Sequence, residues 1–221
     1  MQAIRQCSSN HKRLPLTRRP AAQRARAAAP VRGVTTANAA ANAASSTSSG
    51  RLVGARLRNS GGYVAYSAEI EIETLHGISL HDLTPLVKQA VRESGVADGT
   101  VVVLSRHTTL SVTINEFEAR LVDDTRQYLS QLAPASHPYL HNDLHLRSGP
   151  SDWPGGDEAW RAQEPRNAHS HLQQMLLGAS ASVPVVGGEL ALGTWQSVIG
   201  VELDGSRVRR WSVAVQGLAA D

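Results

Sequence analysis

Cysteine and phenylalanine are nearly absent: the chain of 221 residues holds one of each. Cys7 is the only thiol, so a disulfide scaffold, a cysteine zinc finger and a thiol nucleophile in the body are all excluded. No apolar run is long enough to cross a bilayer as a helix. No short period persists as it would in a coiled coil or a collagen. Acid is missing from a whole region. The first acidic residue is Glu69, and residues 1–68 carry eleven Lys and Arg. The rest of the chain holds all 19 acidic residues against eleven basic ones. The formal charge of +3 therefore averages a cationic leader with an acidic body, and it gives no argument for a nucleic-acid partner.

Residues 1–57 read as a disordered leader and 58–221 as the folded domain. The leader is rich in Ala, Ser, Thr and Arg, with Arg18-Arg19, Arg24-Ala25-Arg26 and a Ser run from Ser45 to Ser49. It lacks the apolar core of roughly 7–15 residues that a secretory signal requires. An Arg-rich, Ser-rich, acid-poor start has the composition of an organelle transit peptide; composition does not separate plastid from mitochondrion, and plastid is the expectation taken. Such an arm is drawn to anionic membrane surfaces and import receptors. A tail without an address is the alternative; a nucleic-acid arm is disfavoured because no aromatic interleaves its arginines.

The body alternates in a way that specifies strands. Val64, Tyr66, Ala68, Ile70 and Ile72 occupy one face of a half-buried strand. Asp82 or Thr84 caps a helix to about Glu93, with Leu83, Leu86, Val87, Ala90 and Val91 inward and Gly95 and Gly99 past its end. Thr100–Leu104 reads as a buried strand, and Leu110, Val112 and Ile114 alternate in another. Glu118–Leu132 predicts a second amphipathic helix with Leu121, Val122, Thr125, Tyr128, Leu129 and Leu132 inward. A proline-rich stretch, 133–166, reads as a long functional loop. A short helix over Ala168–Leu177 follows, capped by Asn167 and ended by Gly178. Gly187-Gly188 and Asp204-Gly205 predict two hairpins in the last forty or so residues. The order of elements specifies an α+β fold: a largely antiparallel, sandwich-like core covered by two or three helices.

Histidine is the abundant reactive residue, with nine in the chain. His107, His137, His141, His145, His169 and His171 crowd into the middle of the body. Imidazole is the commonest neutral metal ligand, and three from separate elements with an open position suit a catalytic divalent ion. On the short helix, His171 shares the inward face with Ala168 and Met175 while His169 points toward the rim. The trio His107, His141 and His171 is the candidate set, with Zn²⁺ the favoured ion, although hydrogen-bonded core histidines would look the same. Glu116 suits a fourth ligand, an orienter of an imidazole or a general base. Equally, Asn115 and Glu118 fit the capping box of the following helix. Arg209 and Arg210 face opposite ways on one strand, so one of them suits a phosphate and either suits a surface ion pair. Trp195 suits stacking on a flat ring or core packing.

His107-Thr-Thr-Leu-Ser-Val-Thr-Ile-Asn-Glu116, Tyr139-Leu-His-Asn-Asp143, Asn167-Ala-His-Ser-His-Leu172, Leu192-Gly-Thr-Trp-Gln196 and Arg209-Arg210 to Val215-Gln-Gly217 together resemble the YjbQ family, described also as secondary thiamine-phosphate synthases. The resemblance spans about Arg58 to Gly217. It implies an α+β domain with a sandwich-like core, a homotrimer, and a His-lined metal pocket near the subunit interface. It places His107, His141 and His171 as metal ligands and Asn115 and Glu116 as catalytic residues. Trp195, Gln196, Arg209 and Arg210 would contact a phosphorylated small molecule. The implied reaction joins a pyrimidine methyl diphosphate to a thiazole phosphate and releases pyrophosphate, as a weak secondary activity. Two departures stand out: Leu218 follows Gly217 where members often carry Glu, and the insert Pro150–Pro165, with Trp153 and Trp160, is longer than in short bacterial members.

Overall fold

The structure is a computed structural model that describes residues 50–220. Residues 1–49, and with them nearly all of the expected leader, lie outside the described residues. Strand β1 (Arg51–Ser60) begins ahead of the expected start near Arg58 and pairs antiparallel with β2 (Tyr63–Glu73). β2 is buried at every second residue from Val64 to Ile72, as its alternation requires. β3 (Ser79–Asp82) leads into α1 (Thr84–Ser94), whose first turn is tied by the Thr84 amide donating to Asp82 Oδ1 at 2.9 Å. Gly95 closes this helix at φ 70°, in the left-handed region that favours glycine.

β4 (Val96–Ser105), β5 (Leu110–Asn115) and α2 (Ala119–Leu132) follow. The cap of α2 is Glu118 itself, whose carboxylate accepts from the Arg120 and Leu121 amides, so Asn115 and Glu118 do not form the expected capping box. Of the six side chains predicted to face inward on α2, only Val122 and Leu129 are fully buried, while Tyr128 and Leu132 stay exposed. The proline-rich stretch carries structure of its own: two 3₁₀ turns, Leu140–Asn142 and Leu144–Leu146, and a short helix α3 (Gly156–Arg161). Then come α4 (Ala168–Leu177), β6 (Ser180–Val186), β7 (Glu189–Leu190), β8 (Ser197–Glu202) and β9 (Val208–Ala219).

The strands form two antiparallel sheets, β1-β2-β9-β4-β6-β7 and β3-β8-β5. β6 and β7 pair across the Gly187-Gly188 turn as predicted. β8 and β9 do not form the hairpin that Asp204-Gly205 suggested. β8 has β3 and β5 on its two edges, β9 has β2 and β4, and the connection crosses from the small sheet to the large one. The main core lies between the layers. Trp211 of β9, fully buried, donates its indole N–H to the Ser111 carbonyl of β5 at 3.0 Å. A Cβ on Gly200 of β8 would lie 2.6 Å from that ring, so the indole packs directly on the β8 backbone and only glycine leaves it room. Val87, Ala90 and Val91 of α1 complete this core, and a second cluster joins Ile199, Val201 and Leu203 to Val122 and Leu129 of α2. The α+β, largely antiparallel fold expected from the sequence is the one observed. Among the described residues no helix is long and apolar enough to cross a membrane.

Candidate functional site

The crossing from β8 to β9 organises the site. Glu202 ends β8 with no exposure, and Arg209 near the start of β9 is 2% exposed. Arg209 Nη2 donates to Glu202 Oε1 at 2.7 Å and to Thr109 Oγ1 at 3.1 Å, while its Nε donates to Glu202 Oε2. The Thr74 hydroxyl (2.9 Å) and the Leu203 and Asp204 amides (2.9 and 2.8 Å) also donate to the Glu202 carboxylate. Burial alone would raise the Glu202 carboxyl. The Arg209 guanidinium and the Asp204 amide outweigh it and hold the group below the ordinary carboxylate range. Through the Leu203 amide, which also donates to the Thr109 carbonyl at 3.2 Å, this network fixes the turn that carries His107.

The same turn holds α4. Asn167 donates from Nδ2 to Asp204 Oδ2 at 2.8 Å, and the Ser170 hydroxyl donates to the Leu203 carbonyl at 2.5 Å. Asn167 thus starts α4 without capping it through its side chain. The Ala168 amide donates to Asn142 Oδ1 at 3.1 Å, tying α4 to the 3₁₀ turn that bears His141. His141 and His171 meet edge to face there, with ring centroids 4.8 Å apart. His141 Nε2 is buried and has no hydrogen-bond partner among the described residues. Desolvation and then the His141 ring push the His171 imidazole below its ordinary pKa, which favours the neutral, metal-ligating form. His107 is lowered by desolvation and by Arg209, and His169 by desolvation. Among the described residues no three His, Cys, Asp or Glu side chains gather at metal-holding spacing. The fold therefore pairs His141 with His171 and leaves His107 outside that pair. Asp204 and His169 also border a cavity of about 410 Å³ with His76, Arg166 and Gln173.

The other candidates fall elsewhere. Arg210 faces the outer side of the large sheet, where its guanidinium holds Glu71 at 2.6 Å and approaches Glu69 at 3.7 Å. Arg51 takes the other Glu71 oxygen at 2.7 Å, and Arg106 pairs with Glu69. Asn115 and Glu116 close β5 at the surface, where Asn115 Oδ1 accepts from the Glu116 amide at 2.9 Å. Trp195 is 73% exposed and Gln196 Oε1 accepts from the Gly193 amide at 2.8 Å, so core packing of Trp195 is ruled out.

Sequence reasoning missed the insert as a support for His141. Arg147 donates to the His141 carbonyl at 3.0 Å, pairs with Glu164 at 3.0 Å, and lies 5.0 Å over the buried Trp160 ring. Arg161 donates to the Leu144 and Arg147 carbonyls, both at 2.9 Å. A tryptophan flanked by arginines within a polar loop is the signal that was there to read. Trp160→Ala is expected to speed amide exchange at residues 140–146 at least about tenfold, a local opening of ~1.4 kcal/mol, with the sheets unaffected. Uniform exchange rates in mutant and parent would show that the insert does not brace this turn.

Residues 68–218 match the family described as "UPF0047 protein YjbQ-like". The chain belongs to this family. A UPF0047 protein of Methanothermobacter thermautotrophicus is 37% identical over 152 residues, covering 69% of this chain and 92% of the relative. The UPF0047 protein YugU of Bacillus subtilis is 27% identical over 149 residues, covering 67% and 97%. A YbjQ-like protein of unknown function from Sulfolobus solfataricus has a solved structure that superposes with a TM-score of 0.60 at 30% identity, covering 70% of this chain and 99% of that one. A YjbQ/UPF0047 protein of Clostridium acetobutylicum superposes with a TM-score of 0.55 at 32% identity, covering 66% and 98%. The YjbQ-like match takes in the His107 turn, the His141 and His171 pair, the insert and the β8–β9 crossing.

Proposed function

We propose that this YjbQ-like chain is an enzyme acting on a phosphorylated small molecule at a His-lined site that takes a divalent metal, Zn²⁺ first among candidates. Weak, secondary thiamine-phosphate synthesis is the activity implied by the family resemblance. The observation that carries the reading is the His141–His171 contact: two imidazoles far apart in sequence meet at 4.8 Å, and one presents a buried nitrogen without a partner. Such a nitrogen is costly unless something binds it. The pair fits two ligands of an ion; His107 lies outside the pair and would complete the set only by moving toward it. A bound divalent ion would supply Lewis-acid stabilisation of a departing diphosphate.

In the implied reaction the carbon–oxygen bond to diphosphate breaks and the thiazole nitrogen forms the new bond to the pyrimidine methylene. For this chain's own residues, exposed Trp195 offers a flat wall to an aromatic ring, and Gln196 sits beside it. At the end of β5 the Glu116 carboxylate offers a general base, and Asn115 holds the Glu116 amide beside it. A homotrimer is part of the proposal. Its support is an apolar groove of about 440 Å³ lined by Leu132, Pro134, Tyr139, Leu172, Met175 and Leu176, most of which a single chain leaves exposed. The same groove favours a second reading, a metal-containing binding trimer without turnover. We also propose that the acid-free leader is an organellar address, plastid before mitochondrion; its composition supports an organelle, not the choice between the two.

Metal analysis of untagged protein, purified without chelator, tests the reading. The parent is expected to carry a divalent metal, and His141→Ala and His171→Ala to lose it together with turnover of the two thiamine precursors. A triple variant at His107, His141 and His171 that retained full metal content and activity would end the proposal. Metal without turnover would favour the binding trimer.

A further inference from the structure

A phosphorylated substrate requires a cation to receive it, and both arginines singled out in the sequence are committed elsewhere. Arg209 is buried against Glu202 and Thr109, and Arg210 is held by Glu71 on the outer face. Arg147, beside the histidine pair, is spent on the His141 carbonyl and on Glu164. Arg207 is placed differently. Its backbone is anchored from both sides: its carbonyl accepts from the Thr74 amide at 3.1 Å and hydroxyl at 3.0 Å, and its amide donates to Thr74 Oγ1 at 3.3 Å. Its side chain is 49% exposed and makes a single bond among the described residues, from Nη2 to Asp204 Oδ2 at 3.2 Å.

Asp204 is the residue that also receives Asn167 at the start of α4, one turn before His171. The neighbouring Leu203 amide holds the Thr109 carbonyl, two residues from His107. The stretch from Leu203 to Arg207 thus runs between the His107 turn and the helix bearing His171. We propose that Arg207 is the anion-binding residue of this site, receiving the phosphate or diphosphate of the substrate on the guanidinium edge that its one bond to Asp204 leaves free. This rests on the reading of the site given above and adds its charge anchor. A planar guanidinium with two donors in one plane matches two phosphate oxygens. Half-exposure spares Arg207 the burial penalty that Arg209 meets by pairing, and Asp204 restrains it without consuming both donors.

The test uses inorganic diphosphate as probe and the full chain, titrated calorimetrically both as purified and after metal removal by a chelator. The metal-free parent is expected to bind diphosphate with an affinity that falls as salt rises. Arg207→Ala should weaken binding at least about tenfold and Arg207→Lys by less, since a lysine keeps the charge but loses the fork. Arg58→Ala, on the distant edge strand, should match the parent. Thermal melts of each variant check folding, and Arg207→Gln serves if Arg207→Ala does not fold. Equal affinity in Arg207→Ala and the parent overturns the inference, as does a metal-free parent that does not bind diphosphate. Loss on changing Arg210 instead would also overturn it. Failure of the metal reading shows separately, as a parent without metal that still loses diphosphate binding with Arg207.

Discussion

Arg209→Met is expected to destabilise the domain by about 3–5 kcal/mol, the range for breaking one side of a buried ion pair. For a domain of this size that is a fall in melting temperature of roughly 6–20 °C. The reason is the carboxylate left behind. Glu202 has no exposure, so without its guanidinium it keeps only the Thr74 hydroxyl and two backbone amides to offset the loss of water. The damage should also reach function, because Arg209 holds Thr109 and with it the His107 turn. Replacing both partners, Glu202→Leu with Arg209→Met, should recover at least half the loss, since no buried charge remains. A single variant that melts with the parent would refute this account. A double variant no better than the single would locate the cost in packing rather than charge.

Acidification should destabilise the protein from about pH 6.5 downward, starting above the carboxylate range. His81 on β3 is 1% exposed, its Nε2 lies 3.0 Å from the Ser79 hydroxyl, and burial pushes its pKa down to about 4 against a weaker pull upward from Glu202. In the unfolded chain an ordinary imidazole titrates near ~6.5. Between these values the unfolded state takes up a proton that the folded state refuses. Stability is therefore complete above the unfolded value and drains away as pH falls toward 4, by about 3 kcal/mol in all. His107, His169 and His171 are lowered too, so they add in the same direction. The lowered carboxylates of Glu71, Glu93 and Glu202 add their loss only at lower pH. Urea midpoints from pH 7.5 to 4.5 measure the effect, and His81→Gln should flatten the slope. A parent equally stable across that range would contradict it.

How far the sequence reaches can be judged residue by residue. The alternation in β2 placed every second side chain inward because a half-buried strand leaves no other arrangement. The inward member of the Arg209-Arg210 pair was also legible: Arg209 shares its parity with Trp211, Val213 and Val215, all buried. A carboxylate closing the apolar strand that holds Val198, Ile199 and Val201 is the matching signal for its partner. What stayed hidden depends on contacts between distant segments. Asp204-Gly205 has the composition of a hairpin turn, yet both edges of each adjoining strand are already taken by other strands. On α2, Tyr128 and Leu132 follow the helical period but no layer of a single chain covers them. Eight histidines in the body gave no pairwise distances, so that His141 would meet His171, and His107 would not join them at the same spacing, had to come from the fold.

The step between the two sheets also limits how this chain can change. Only five residues separate the end of β8 from the start of β9, and side chains on β9 alternate between the interior and the solvent. Deleting or inserting one residue there would turn Arg210 inward and Arg209 outward, and would strand Glu202 opposite the wrong partner. The insert ahead of α4 can lengthen or shorten without such a flip, because it joins a 3₁₀ turn to a helix rather than strand to strand. Length variation among relatives is therefore to be sought at Pro150–Pro165, whereas the count of residues from Glu202 to Arg209 has to stay as it is.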